Sequence, residues 1–198
     1  MKTEIPVPRP EVVGLKEYVP GKPIEEVCRQ HRLKSAIKLA SNENPIGPSP
    51  RALESISRAF TAAHRYPQGN APELSERLAR FYNISSKQLI FSNGSDEMIQ
   101  MVMLAWLSPG QEMLCCEPTF SEYRFAAELA GGVVRTIPLK EGSYDVEGLI
   151  EAIDQKTKVI VICNPNNPTG GWVGRREIGL FLEQVPPEIL VVVDQAYA

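Results

Sequence analysis

Four short segments carry the residues that could do chemistry, and each follows an apolar run. "SNGSDE" (92–97) is a glycine turn leading into a helix. Gly94 lets the chain turn tightly, and the backbone N–H groups of Ser95 and Asp96 then point outward at the positive end of that helix, as in a cradle for phosphate. Asp96 and Glu97 are also simply the carboxylates a helix dipole favours in its first turn. The turn is neither G-x-G-x-x-G nor a Walker loop, so a nucleotide is not indicated. In "EPTFSEY" (117–123), Phe120 follows a strand and a turn, where its ring can lie flat on a planar ligand or serve as a core residue. "NPNNPTGG" (164–171) has two Asn-Pro pairs and two glycines, which exclude helix and strand. Its prolines stiffen the loop, so the amide of Asn167 can be held in one orientation.

The fourth segment is "VVVDQAYA" (191–198). Asp194 follows the apolar run Ile189–Val193, so it should be partly desolvated, and no lysine or arginine lies beside it in sequence. A buried carboxylate is costly unless it meets a positive partner. A ligand with a protonated pyridine nitrogen would supply one, and pyridoxal 5'-phosphate pairs with an acidic residue in that way. Tyr197, three residues on, is within reach of the same ligand's ring hydroxyl. A phosphate cradle, a stacking aromatic, a fixed amide and an acid for a ring nitrogen are together what this cofactor needs, apart from its lysine.

These segments must be positioned by an α/β framework. Strands are expected at Gln88–Phe91, Glu112–Cys116, Val133–Ile137, Val159–Cys163 and Ile189–Val193. Between them the pattern predicts helices at Ser95–Leu107, Phe120–Ala130, Val146–Ile153 and Arg175–Gln184, with Thr119 and Glu122 forming a capping box. Such alternation means βαβ units and a mostly parallel sheet with helices on both faces. The right-handed crossover rule then gathers the carboxyl ends of the strands on one edge. Upstream, the proline-rich start reads as an irregular N-terminal arm, with a helix at Ile24–Arg32 and a short strand at "IKLA" (37–40). Two more helices follow, one from Ser49 and Pro50 to about His64, the other Pro72–Tyr82.

Composition narrows the partners. The 198 residues hold 21 Lys plus Arg against 24 Asp plus Glu, a net charge of −3, which gives no reason to expect nucleic acid or an anionic membrane. No apolar run approaches the roughly 20 residues that span a bilayer, and "MKTEIPVPRP" lacks the apolar core of a signal peptide. Cys28, Cys115, Cys116 and Cys163 show no metal-ligand spacing and read as reduced thiols of a cytoplasmic protein. His31 and His64 lie in polar helical stretches and read as surface residues. No metal site is expected.

The sequence resembles the fold type I (aspartate-aminotransferase-fold) enzymes, and within them the histidinol-phosphate aminotransferases. The resemblance runs from "YVPGKPIEEV" and "LASNENPIGPSP", its more specific part, through "HRYPQGNAPELSERLA" and "FSNGSDEMIQ" to "CNPNNPTG" and "VVVDQAYA". It implies that Asp194 pairs with the pyridine nitrogen, Asn167 and Tyr197 hold the ring oxygen, Phe120 stacks on the ring, and Ser95 and Asp96 bind the phosphate. It further implies that Tyr66 reaches the cofactor phosphate of a neighbouring subunit in a homodimer, and that Tyr18 lies near the substrate. The family usually has Glu after the aspartate, where this chain has Gln195.

The activity implied is transamination between histidinol phosphate or imidazole-acetol phosphate and glutamate or 2-oxoglutarate, in histidine synthesis. The same fold also serves threonine-phosphate decarboxylases and aromatic aminotransferases, and a non-catalytic remnant is a further alternative. In the family the chain continues through more strands, the S-x-S-K lysine of the Schiff base and a C-terminal small domain. None of the nine lysines here stands in that context. The expectation is therefore an N-terminal part of such an enzyme, inactive alone: an arm and small-domain segment over 1–48 and an incomplete cofactor-binding large domain over 49–198. The strand at Gln88–Phe91 would then lack its partner and leave apolar surface exposed.

Overall fold

The computed structural model describes residues 7–15 and 21–198, so Tyr18 lies outside the described residues. The described chain falls into two compact units, residues 7–15 with 92–198 and residues 21–91. The helices in chain order are α1 (Pro10–Val13), α2 (Ile24–His31), α3 (Pro50–Ala59), α4 (Pro72–Tyr82), α5 (Gly94–Trp106), α6 (Glu122–Leu129), α7 (Val146–Ala152) and α8 (Arg175–Gln184). The strands are β1 (Glu112–Glu117), β2 (Val133–Pro138), β3 (Thr157–Cys163) and β4 (Leu190–Asp194).

The unit over residues 21–91 holds α2, α3 and α4. Pro50 and Pro72 each stand at the first helical position, where the missing N–H costs nothing. Helix α4 ends at Asn83, which takes the left-handed conformation. Only Ser75 and Ala79 are buried in this unit, while Leu39, Ile46 and Phe60 stay exposed. The strand expected at residues 37–40 does not form. Nor does the one at Gln88–Phe91: Ser86–Gln88 is a 3₁₀ turn closed by a Ser85–Gln88 capping box, and residues 89–91 run on with no strand partner among the described residues. The local pattern suits a strand, but a strand exists only where a neighbour takes its hydrogen bonds. Ile90 is accordingly 74% exposed.

The other unit is the α/β layer structure. Its sheet has the order β2-β1-β3-β4 and every pair is parallel. Met113–Cys116 of β1 and Val159–Cys163 of β3 are buried, as continuous apolar runs in central strands require. The chain steps from β1 to β2 in one direction and from β2 through β3 to β4 in the other. Right-handed crossovers therefore put α6 on one face and α7 and α8 on the opposite one. The helices pack in the matching pairs, α5 with α6 and α7 with α8. Because the direction reverses at β1, the carboxyl ends of β1 and β3 flank a topological switch point, where ligands bind in open α/β sheets.

The capping box expected from Thr119 and Glu122 is absent. Helix α6 begins at Glu122 behind Ser121, which makes no side-chain cap. The Thr119 hydroxyl donates instead to Asn166 Oδ1, 2.8 Å away in the loop after β3. A partner 47 residues distant won over a local one. Cys115, Cys116 and Cys163 are buried and unpaired, and Cys28 is half-buried. His31 and His64 are exposed. Among the described residues no metal-ligand cluster occurs, and no helix is long and apolar enough to cross a membrane.

Candidate active site

The site is built at the carboxyl edge of the sheet, and its frame is the loop after β3. Asn164 and Asn166 are its buried polar residues. Asn164 Nδ2 donates to the Val173 carbonyl at 2.9 Å, and the Val173 N–H returns to Asn164 Oδ1 at 2.8 Å. The Asn164 N–H also donates to the Asp194 carbonyl at 2.8 Å, fastening the loop to the end of β4. Asn166 Nδ2 reaches the Pro118 carbonyl at 3.0 Å and Thr169 Oγ1 at 2.8 Å. With the Thr119 hydroxyl on its Oδ1, Asn166 clamps the loop after β1 to the loop after β3. The peptide bonds preceding Pro118, Pro165 and Pro168 are cis.

The clamp leaves Asn167 half-buried, with no side-chain hydrogen bond among the described residues. It faces a small recess that Ser95, Phe120, Asp194 and Tyr197 also line. The four segments singled out in the sequence therefore converge, although their residues span positions 95 to 197. Asp96 follows Ser95 in the first turn of α5 but is exposed and does not line the recess. No acceptor within the chain takes the N–H groups of Ser95 or Asp96 among the described residues, as expected at N2 and N3 of a helix. Gly94 supplies the turn at φ +85°, and open space surrounds the position its Cβ would take. The Asn93 N–H, at the N-cap, donates to the Glu97 carboxylate, which folds that carboxylate back toward the helix start. Nearby, burial and the charge of Asp96 push the Glu122 carboxyl above its usual range.

Asp194 is half-buried, and no lysine or arginine pairs with it among the described residues. Its carboxylate accepts a hydrogen bond from the Tyr123 hydroxyl at 2.6 Å and one from the Ala196 N–H at 2.9 Å. Those are neutral donors, so the negative charge is oriented but not neutralised. Phe120 and Tyr123 pack in a T-shaped arrangement, with ring centroids 5.7 Å apart and an interplanar angle of 83°. An anion cradle, an aromatic face, a free amide and an uncompensated carboxylate suit a flat ligand with a phosphate at one end and a cationic ring nitrogen. Among the described residues no lysine lines the recess.

Of the other residues singled out in the sequence, Tyr66 belongs to the unit over residues 21–91 and is wholly exposed. The sequence reading missed Tyr123, Thr119, Asn164 and Asn166. Tyr123 had a signal, because one helical turn separates it from Phe120, which puts both on one face of the chain. The two asparagines gave none, since the three asparagines of the loop look alike until burial sorts them.

The chain matches the family model "Aminotransferase class I and II" over residues 34–198. It is 44% identical over 194 residues to a histidinol-phosphate aminotransferase of Moorella thermoacetica, covering 98% of this chain and 50% of that protein. It is 48% identical over 183 residues to a histidinol-phosphate aminotransferase of Anoxybacillus flavithermus, covering 92% and 49%. Among solved structures, a histidinol-phosphate aminotransferase from Sinorhizobium meliloti in complex with pyridoxal-5'-phosphate superposes with a TM-score of 0.85 at 25% identity. That match covers 95% of this chain and 50% of the other. The chain thus spans about half the length of the curated relatives it matches.

Proposed function

The chain belongs to the aminotransferases of class I and II, and on that premise we propose that it forms the cofactor-binding part of a pyridoxal-5'-phosphate-dependent histidinol-phosphate aminotransferase. The whole protein would exchange an amino group between histidinol phosphate or imidazole-acetol phosphate and glutamate or 2-oxoglutarate, in the cytoplasm and as a homodimer. The observation that carries the reading is the Asp194 carboxylate, which is half-buried, oriented by neutral donors and without a cationic partner among the described residues. The names of the relatives support the choice of substrate.

When bound, the cofactor supplies an aldehyde carbon and an electron-withdrawing pyridine ring that delocalises carbanion charge. The chain's own residues hold it. Asp194 keeps a proton on the ring nitrogen, because a carboxylate in a partly dry site stabilises the cation beside it. Phe120 covers one face of the ring and excludes water from it. Asn167 and Tyr197 hydrogen-bond the ring oxygen. The N–H groups of Ser95 and Asp96 receive the phosphate at the start of α5, where the helix dipole adds to them. Tyr66 would serve the cofactor phosphate of a neighbouring subunit, and Tyr18 the substrate. The division into a segment over 1–48 and a large domain over 49–198 belongs to the same proposal.

The test is a cofactor titration of the whole protein, wild type against Asp194→Ala, followed by absorbance. Losing a hydrogen bond to a charged group is worth about 1.5–3 kcal/mol, so affinity should fall about ten- to a hundredfold. Turnover of glutamate with imidazole-acetol phosphate then identifies the substrate. A wild type that binds no cofactor overturns the reading. Binding without that turnover, but with release of carbon dioxide from threonine phosphate, moves it to a decarboxylase of the same fold.

A further inference from the structure

Tyr123 has no solvent exposure at all, on a helix whose first turn starts just beside the recess. A buried phenol must place its hydroxyl hydrogen, and this one donates to Asp194 Oδ2 at 2.6 Å. The other carboxylate oxygen, Oδ1, is taken by the Ala196 N–H at 2.9 Å. A carboxylate gripped at both oxygens from two separate elements cannot rotate about its terminal torsion. The same tyrosine ring packs at nearly a right angle against Phe120. One side chain thus braces both the acid and the stacking aromatic.

We infer that Tyr123 is a positioning residue, which fixes the Asp194 carboxylate in one orientation toward the ring nitrogen of the cofactor and does so without cancelling its charge. This rests on the cofactor reading above. The choice of donor is the physical point. A lysine or arginine at this place would orient the carboxylate equally well but would neutralise it, leaving little attraction for a cationic ligand. A phenol supplies direction and no charge. Burial, and then its hydrogen bond to Asp194, push the Tyr123 phenol well above its ordinary range, so it remains a donor throughout.

The experiment is a double-mutant cycle in the whole protein, read as the dissociation constant of pyridoxal 5'-phosphate rather than as turnover. Tyr123→Phe removes only the hydroxyl and keeps the ring against Phe120. It should raise the dissociation constant about tenfold in the wild-type background, a change of about 1.4 kcal/mol. In the Asp194→Ala background the same substitution should change it by less than about twofold. A second cycle with Phe120→Leu should be additive, because the hydroxyl does not touch that ring. Urea midpoints of the cofactor-free variants report any loss of packing separately. Equal losses in both Asp194 backgrounds would mean that Tyr123 acts by packing alone, and no loss in either would mean that it does not position the carboxylate. Either result overturns this inference and leaves the cofactor reading standing. Wild type and Asp194→Ala binding alike, or not at all, would overturn both.

Discussion

Asn166 and Asn167 are neighbours of one type in one loop, yet the structure gives them opposite tasks, and a pair of alanine substitutions separates these. Asn166 is 3% exposed and its amide makes three hydrogen bonds, to Thr119, Pro118 and Thr169. At about 1 kcal/mol each, Asn166→Ala should cost about 3 kcal/mol of stability. Two of the partners keep other bonds, since the Tyr144 hydroxyl still reaches Thr119 and Thr169 still donates to the Gly142 carbonyl. The Pro118 carbonyl is left without its partner, so the estimate is not reduced further. For a chain of this size about 3 kcal/mol corresponds to roughly 6–12 °C in Tm. Asn167→Ala removes no side-chain hydrogen bond within the chain, so stability should stay within about 0.5 kcal/mol of wild type. Its cofactor affinity should nevertheless fall about tenfold. Urea unfolding of the cofactor-free protein and a cofactor titration measure the two effects. A stable Asn166→Ala protein beside an unstable Asn167→Ala protein would refute the division of labour between them.

Gly171 sits where an added Cβ would lie 2.0 Å from the Gly142 carbonyl oxygen. Gly171→Ala must therefore push two backbones apart, and should cost about 2 kcal/mol or more in denaturant unfolding. Gly179 in α8 has nothing within 4 Å of its Cβ position, so Gly179→Ala should stabilise by about 0.5–1 kcal/mol. Burial pushes Cys115 up to about 12 and Cys116 up to about 11 from an ordinary 9.0. Both values are raised by folding, so their contribution is complete below pH 9.0 and is lost as the pH rises through 11 and 12. The slope is about 1.4 kcal/mol per pH unit per thiol, and Cys115→Ala should flatten it in unfolding curves. At neutral pH a thiol reagent should label Cys28 in the folded protein and Cys115 and Cys116 only after unfolding.

The sequence alone determined the α/β alternation, because an apolar run such as Val159–Cys163 has no stable place except a strand covered on both faces. It also determined the candidate chemistry at Ser95, Phe120, Asn167 and Asp194, because each stands just past such a run and the crossover rule brings the ends of parallel strands to one edge. Three things only the tertiary structure decided. Gln88–Phe91 reads locally as a strand, but strand formation is a property of a pair, and no partner lies beside it among the described residues. Thr119 fits a capping box, but its hydroxyl is claimed by Asn166 across the edge of the sheet. Three asparagines and two prolines in a row do not say which amide holds the loop and which faces a ligand, since only packing distinguishes a buried amide from a free one. Tyr123 belongs with these. Its three-residue spacing from Phe120 places it near the site, but nothing in "SEYRF" announces its bond to Asp194, because the 71 positions that separate the two close only when β1, β3 and β4 lie side by side.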